Sequence, residues 1–495
     1  MTAPYERRSG AELARAVNVG QARAVELVAA AERVREAWDA GAAPLHAFVS
    51  VDFDRAADRA LNGEADNSRQ GAHRPLAGVP VAVGDNLSTI DFPTTCGSRL
   101  LEAYVPPFDA TAVRRVVDAG ATVVGKANLD EFAMGCSTEA SAFGPTRNPH
   151  DRQRVAGGSA GGAAAAVAAG IVPFALGTDT GGGVRQPAAF CGVVGIRPTC
   201  GMVSRYGMAA LAPSLDTVGV FGRTVGDAAL LLERVAGHDP RDGTSAERAA
   251  PDLVAALGHD VRGMTIGVPA EHFAAGLDPR VERLCRAAVD RLKALGAVIR
   301  DVPLPQTAHA VAAYHLLSSA EAASSLARYD GARFGTRARG AASREAVYEG
   351  TRALFGAEAR LRIVLGTLLL SADPDGRLDR ARRVRGLLVR ELDAVFAGGV
   401  DALFTPTTPT PAFRLGGSAD PAHMHASHAF TVAASLAGTP ALSLPIGFAE
   451  GLPVGGQLMG PAWSEPRLVR MADALERALA LETAPPRPLL VEVPA

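Results

Sequence analysis

Between Gly161 and Gly177 the chain runs seventeen residues without a charged side chain, built mostly from glycine and alanine and interrupted by Pro173. A stretch this apolar has to be buried, yet it falls just short of the ~20 residues that cross a bilayer. It predicts a buried helix of small residues followed by a buried strand. Short apolar strand patterns recur at Val79–Val83, Thr122–Val124, Val172–Leu176, Thr265–Val268, Val298–Val302, Ala402–Thr405 and Ala441–Leu444. Helical periodicity separates them at Ala110–Ala119, Val225–Ala236, Val281–Leu295 and Leu378–Phe396. Such alternation predicts an α/β fold with a mostly parallel mixed sheet covered by helices on both faces. Ala11–Val17 and Ala22–Asp39 read as helices of an N-terminal arm over residues 1–60. Residues 61–495 then form the main domain, with a helical lobe at about 306–396.

The 495 residues are 48% apolar, ample for a large core. The formal charge of -2, with both signs interspersed, offers no basic face for direct nucleic-acid or membrane contact. Five cysteines at irregular spacing fit neither a disulfide framework nor paired zinc ligands and read as reduced cytoplasmic thiols. The polar first ten residues lack the apolar core of a signal peptide, so export is not expected.

Two strings flank the small-residue run. One is Ala156-Gly157-Gly158-Ser159-Ala160-Gly161-Gly162, and the other is Thr178-Asp179-Thr180-Gly181-Gly182-Gly183-Val184-Arg185-Gln186-Pro187-Ala188. Together they resemble the amidase signature. Within that family the chain is similar to the A subunits of glutamyl-tRNA(Gln)/aspartyl-tRNA(Asn) amidotransferases, through Lys126-Ala127-Asn128-Leu129-Asp130-Glu131-Phe132-Ala133-Met134-Gly135, Val203-Ser204-Arg205-Tyr206-Gly207 and Thr405-Pro406-Thr407-Thr408-Pro409-Thr410-Pro411. The likeness covers nearly the whole chain and implies the amidase-signature fold.

The resemblance also implies a catalytic unit of a serine nucleophile, a bridging serine in a cis peptide and a buried neutral lysine. Here the lysine-bearing strand reads Gly78-Val79-Pro80-Val81-Ala82-Val83-Gly84-Asp85-Asn86, the nucleophile position is Gly183, and the bridging serine is Ser159. Glycine has no side chain, so neither position 84 nor 183 supplies a base or a nucleophile. Thr180, Gly181, Gly182 and Gly183 match the positions whose backbone amides form the family's oxyanion cradle. Such a nest holds a carbonyl or carboxylate oxygen without any nucleophile.

The family's glutamine pocket maps onto Arg362, His428 and either Tyr314 or His315. A histidine replaces the aspartate that would meet the substrate's ammonium, which argues against glutamine. His428 and His315 are acid/base candidates, or else packing histidines. With His423 and His425 they form a loose histidine group that lacks the carboxylate or cysteine of a recognised metal site, so neither a metal nor another cofactor is expected. Cys136 stands where the family has a hydroxyl, as a thiol nucleophile or as a buried packing residue.

Two functions follow. One is a non-hydrolytic enzyme, in biosynthesis, acting on a carboxylate- or amide-bearing small molecule. The other is a catalytically inactive binding or scaffold subunit, working as a homodimer or with partner subunits.

Overall fold

The computed structural model describes residues 4–481 and 486, apart from 71–73, 274–275, 339, 374 and 418–425. Among the described residues, eleven strands form one sheet: β1 (Phe48–Val51), β2 (Pro80–Gly84), β3 (Thr122–Ala127), β4 (Phe174–Asp179), β5 (Val194–Arg197), β6 (Thr217–Gly222), β7 (Thr265–Pro269), β8 (Val298–Val302), β9 (Ala402–Pro406), β10 (Ala441–Ala449) and β11 (Leu452–Met459). The helices are α1 (Gly10–Asn18), α2 (Ala24–Asp39), α3 (Phe53–Gln70), α4 (Thr111–Asp118), α5 (Gly161–Ala168), α6 (Arg185–Cys191) and α7 (Val225–Val235). They continue with α8 (Pro279–Ala294), α9 (Ala310–Leu326), α10 (Arg344–Arg352), α11 (Ala357–Ser371), α12 (Arg377–Ala397), α13 (Val432–Ala437) and α14 (Glu465–Leu479). None is long and apolar enough to cross a membrane.

The strand order is β1-β3-β2-β4-β6-β5-β10-β11-β9-β7-β8. The sheet is mixed, as expected, but the parallel character expected to dominate it is confined to two groups, β3-β2-β4 and β9-β7-β8. Everything between them, and the β1 edge, is antiparallel. The centre is built from antiparallel β6, β5, β10 and β11, and of these β5, β6 and β11 have no strand pattern in the sequence. Those strands are rich in glycine, which dilutes the β-branched pattern that marks a strand in sequence. β1 lies inside the first sixty residues, where only helices are expected, and forms an edge of the sheet.

The two faces of the sheet carry different side chains. Val81 and Val83 of β2, Phe174 and Leu176 of β4, and Val218 and Val220 of β6 point into one core, against α4, α7 and α14. The alternate residues Ala82, Ala175 and Phe221 point into a second core with α2, α3 and α5. This is the period of two expected of strands buried on both sides. The alanine-lined face lets α5, every residue of which is buried, lie close against the sheet. The small-residue run thus folds as helix then strand, as its composition requires.

α9 carries the lobe, with α11 and α12 both packed on it. α11 crosses α9 at Gly366, where a β-carbon would overlap the carbonyl of Ser319, so only glycine permits that approach. α1 and the segment before it dock through buried polar groups: the Gly10 amide donates to Asp227 Oδ1 at 2.9 Å and Arg223 donates to the Arg8 carbonyl at 3.0 Å. The N-terminus of α7 is held to α14 by the Val225 amide, which donates to Glu476 Oε1 at 3.0 Å.

One buried network joins the sheet's centre to the loops beyond it. Asp179, at the end of β4, receives Arg185 Nη2 at 2.8 Å, Arg185 Nε at 3.0 Å, the Val184 amide at 3.2 Å and Arg197 Nη1 at 3.3 Å. Arg185 reaches on to the Thr431 carbonyl at 2.8 Å, Gln457 Oε1 at 2.7 Å and Ser435 Oγ at 2.9 Å. Burial alone would raise the Asp179 carboxyl, but the two guanidinium groups hold it well below its ordinary range.

Two outcomes are expected. Arg185→Ala leaves Asp179 buried without its main counter-ion and should lower stability by about 3–5 kcal/mol in urea unfolding. Burial raises both the Asp227 and the Glu476 carboxyls to about 7. Groups raised in the folded state stabilise it fully below their unfolded values and lose that contribution as pH rises through 7. The melting temperature should therefore fall as pH rises from about 4 to about 7 and level off above that, and Asp227→Asn, which keeps the oxygen facing Gly10, should flatten the fall.

Candidate functional site

The segment after β4 turns sharply at Gly182, whose φ of +136° lies in the region that favours glycine. The amides of Thr180, Gly181, Gly182 and Gly183 are buried and donate no hydrogen bond to another described residue. Four successive N–H groups without an acceptor form a nest that calls for an anionic or carbonyl oxygen. Its walls are fixed from three sides. Thr180 Oγ1 donates to Asp216 Oδ1 at 2.6 Å, Thr431 Oγ1 donates to the Gly181 carbonyl at 2.6 Å, and the Tyr314 ring packs against Gly181.

Ser159 stands at the edge of the nest. Its peptide bond with Gly158 is cis, as the resemblance implies. A β-carbon at Gly183 would lie 2.6 Å from Ser159 Oγ and 2.7 Å from the Thr178 carbonyl oxygen, so position 183 faces Ser159 directly. A β-carbon at Gly84 would lie 3.2 Å from the Leu176 carbonyl and 3.3 Å from Asn86 Oδ1. Asn86 Nδ2 in turn donates to Thr178 Oγ1 at 2.9 Å. Thr178 thus sits between the two glycines, with its backbone at one and its hydroxyl, through Asn86, at the other.

The pocket wall comes from the lobe. Tyr314 on α9 is buried, and its hydroxyl is hydrogen-bonded to Arg362 of α11. Arg362 Nε donates to Glu358 Oε1 at 2.7 Å, while its Nη1 is buried without a partner among the described residues. His428 is buried with its ring centroid 6.5 Å from that of Tyr314, and His315 follows Tyr314 on the same helix at 5.2 Å. The structure brings Tyr314, Arg362 and His428 together beside the cradle. His423 and His425 lie outside the described residues.

Cys136 lies beside this wall and is fully buried. Burial pushes its thiol well above the ordinary value, its side chain is hydrogen-bonded to Ser427, and its carbonyl accepts Gln186 Nε2 at 2.9 Å. A thiol held neutral is a poor nucleophile, so of the two roles open to Cys136 the burial supports packing.

Two buried ionisable groups escaped notice in the sequence because they sit inside an apparently structural string. Lys126, one strand from Gly84, donates from Nζ to the Leu87 carbonyl at 2.7 Å and Thr94 Oγ1 at 2.8 Å, with Asp85 at 3.7 Å. Burial lowers its ammonium to about 8. Asp130, raised to about 7 by burial, donates its amide to the Ser159 carbonyl at 3.2 Å. Its Oδ2 has no hydrogen-bond partner among the described residues.

The Amidase family profile matches residues 30–469. The A subunit of the glutamyl-tRNA(Gln) amidotransferase of Carboxydothermus hydrogenoformans is 47% identical over 470 residues, covering 94% of this chain and 97% of that protein. The corresponding protein of Moorella thermoacetica is 51% identical over 437 residues, covering 88% and 89%. Among solved structures, the glutamyl-tRNA(Gln) amidotransferase A subunit of Thermotoga maritima aligns with a TM-score of 0.79 at 38% identity over 96% of each chain. The peptide amidase of Stenotrophomonas maltophilia aligns with a TM-score of 0.84 at 33% identity, covering 97% of this chain and 99% of its own. With a profile match over most of its length and relatives at this level of identity, the chain belongs to the amidase family.

Proposed function

We propose that the chain is a binding subunit related to the amidotransferase A subunits, holding a carboxylate- or amide-bearing small molecule without hydrolysing it by the family's serine route. The observation that carries this reading is position 183, which faces Ser159 Oγ and has no side chain. We infer that Gly183 and Gly84 take the places of the family's serine and lysine. Ser159 then has no nucleophile in front of it and no lysine behind it, and loss of a nucleophile from such a unit costs roughly a millionfold in rate.

The binding parts remain. The amides of Thr180 to Gly183 would receive one oxygen of the ligand, Arg362 Nη1 would receive a carboxylate, and Tyr314 would fix the guanidinium between them. His428 beside Tyr314 adds a neutral or cationic edge in place of an anion, which selects against a ligand ammonium. The similarity to components of amidotransferases favours this binding reading, with partner subunits, over an enzyme that moves protons through His428 and His315.

Incubation with glutamine and with simple amides should release no ammonia above background; turnover with a covalent acyl adduct on Ser159 would overturn the reading. In calorimetric titrations of small carboxylates and carboxamides, Arg362→Ala and Gly182→Ala should each weaken binding at least about tenfold, since each removes donors or closes the nest. Unchanged affinity in both variants would remove the cradle from the proposal. Gly183→Ala should lower stability by about 1–3 kcal/mol, because its β-carbon meets a backbone carbonyl that has to move.

A further inference from the structure

α11 has apolar residues on both sides. Ala359, Arg362, Gly366 and Leu369 face inward, while Leu361, Val364 and Leu368, at helical spacing on the opposite side, are exposed, Val364 to 68%. A helix on a protein surface ordinarily turns polar residues outward, so a continuous aliphatic stripe marks a contact site. Leu354, just before α11, and Phe334 and Tyr348 nearby in the lobe are exposed as well.

The stretch of sequence that carries the stripe is as uneven in charge as in hydrophobicity. Residues 327–390 hold fourteen arginines and no lysine against seven aspartates and glutamates, in a chain whose formal net charge is -2. Local pairs neutralise part of this: Arg333 with Asp330, Arg377 with Asp375, and Arg382 with Asp379. Arg337, Arg344 and Arg383 are exposed and make no ion pair among the described residues. Arg360 is exposed on α11 itself, next to Leu361. The only carboxylate on α11, Glu358, is turned inward onto Arg362. The even mixture of signs along the whole sequence hides this basic segment; over the lobe as a whole, residues 306–396, fourteen arginines face ten aspartates and glutamates.

We propose that the outer face of α11, which carries the exposed Arg360 and no outward carboxylate within an arginine-rich stretch of sequence, is the docking site for an acidic protein partner that presents aliphatic side chains flanked by Asp and Glu. This extends the binding-subunit reading, on which it rests, by naming the chemistry of its partner. The complementarity decides between occupants. A second copy meeting this face through a two-fold axis would oppose two arginine-rich stretches. Single-stranded nucleic acid is held by aromatic stacking and an open basic groove, whereas the centre of this face is aliphatic. The same helix supplies Arg362 on its inner side, so a docked partner would stand directly behind the pocket.

A labelled helical peptide with leucines at i, i+3 and i+7 and glutamates elsewhere, and a second peptide with lysines in place of the glutamates, test the proposal against the full chain. The glutamate peptide should bind at least about tenfold more tightly than the lysine peptide, with an affinity that falls as salt rises. Val364→Glu and Arg360→Glu should each weaken it at least about tenfold, with circular dichroism unchanged. Equal binding of the two peptides, or wild-type affinity in both variants, would overturn the docking site. So would a dimer in sedimentation that Val364→Glu dissolves, or a transfer RNA that binds the lobe through the arginines and ignores Val364→Glu. Carboxylate titration of the cradle in Val364→Glu should match wild type, so failure at the lobe is distinguishable from failure of the ligand site.

Discussion

The Asp179 carboxylate is the junction on which the rest of this molecule depends. Two arginines buried at 0% exposure converge on it, and through Arg185 it is tied to the segment at Thr431, to Ser435 of α13 and to Gln457 of β11. Gln457 passes the connection to Thr405 of β9 at 2.9 Å and to the Phe430 carbonyl at 2.8 Å. A buried charge of this kind contributes little to stability compared with apolar packing of the same volume, and its value lies in fixing one arrangement. Here the arrangement is that of the cradle, since Thr180 to Gly183 leave β4 at Asp179 and return at Arg185.

On the proposed reading, the site built outward from that junction is a preorganised receptor with a gap in its chemistry. Donors converge from the cradle and from Arg362, and the elements behind them are buried and hydrogen-bonded. Preorganised donors of this kind bind an oxygen whether or not a reaction follows. A family that uses such a nest to stabilise charge in a transition state can therefore lose the attacking group and keep the recognition, because different residues supply the two functions.

Much of this was legible in the sequence, for reasons that can be named. The small-residue run required a buried helix and strand because its composition leaves no other place for it. Seven strands show themselves through compact apolar patterns, whereas β1, β5, β6 and β11 are short, glycine-rich or adjacent to charge and show no such pattern. Positions 84, 159 and 183 could be found by likeness alone, but how Thr178 and Asn86 fill the space between the glycines could not, since it is decided by distances of a few tenths of an ångström. The burial that favours packing for Cys136 is not visible in a sequence. The arginine-rich stretch went unread because net charge was read along the whole chain and not segment by segment.

The Thr178 carbonyl has a consequence for how this protein can change. Its oxygen lies where any side chain at position 183 must begin, so the first step away from glycine is uphill before a hydroxyl has anything to do. Nor does a hydroxyl gain a base at the same moment, since position 84 lies on another strand and needs its own substitution. On the proposed reading of positions 84 and 183, two changes, each unfavourable or idle alone, separate this chain from a working dyad; selection acting on single substitutions then has no graded path between the two states, and the loss behaves as a ratchet.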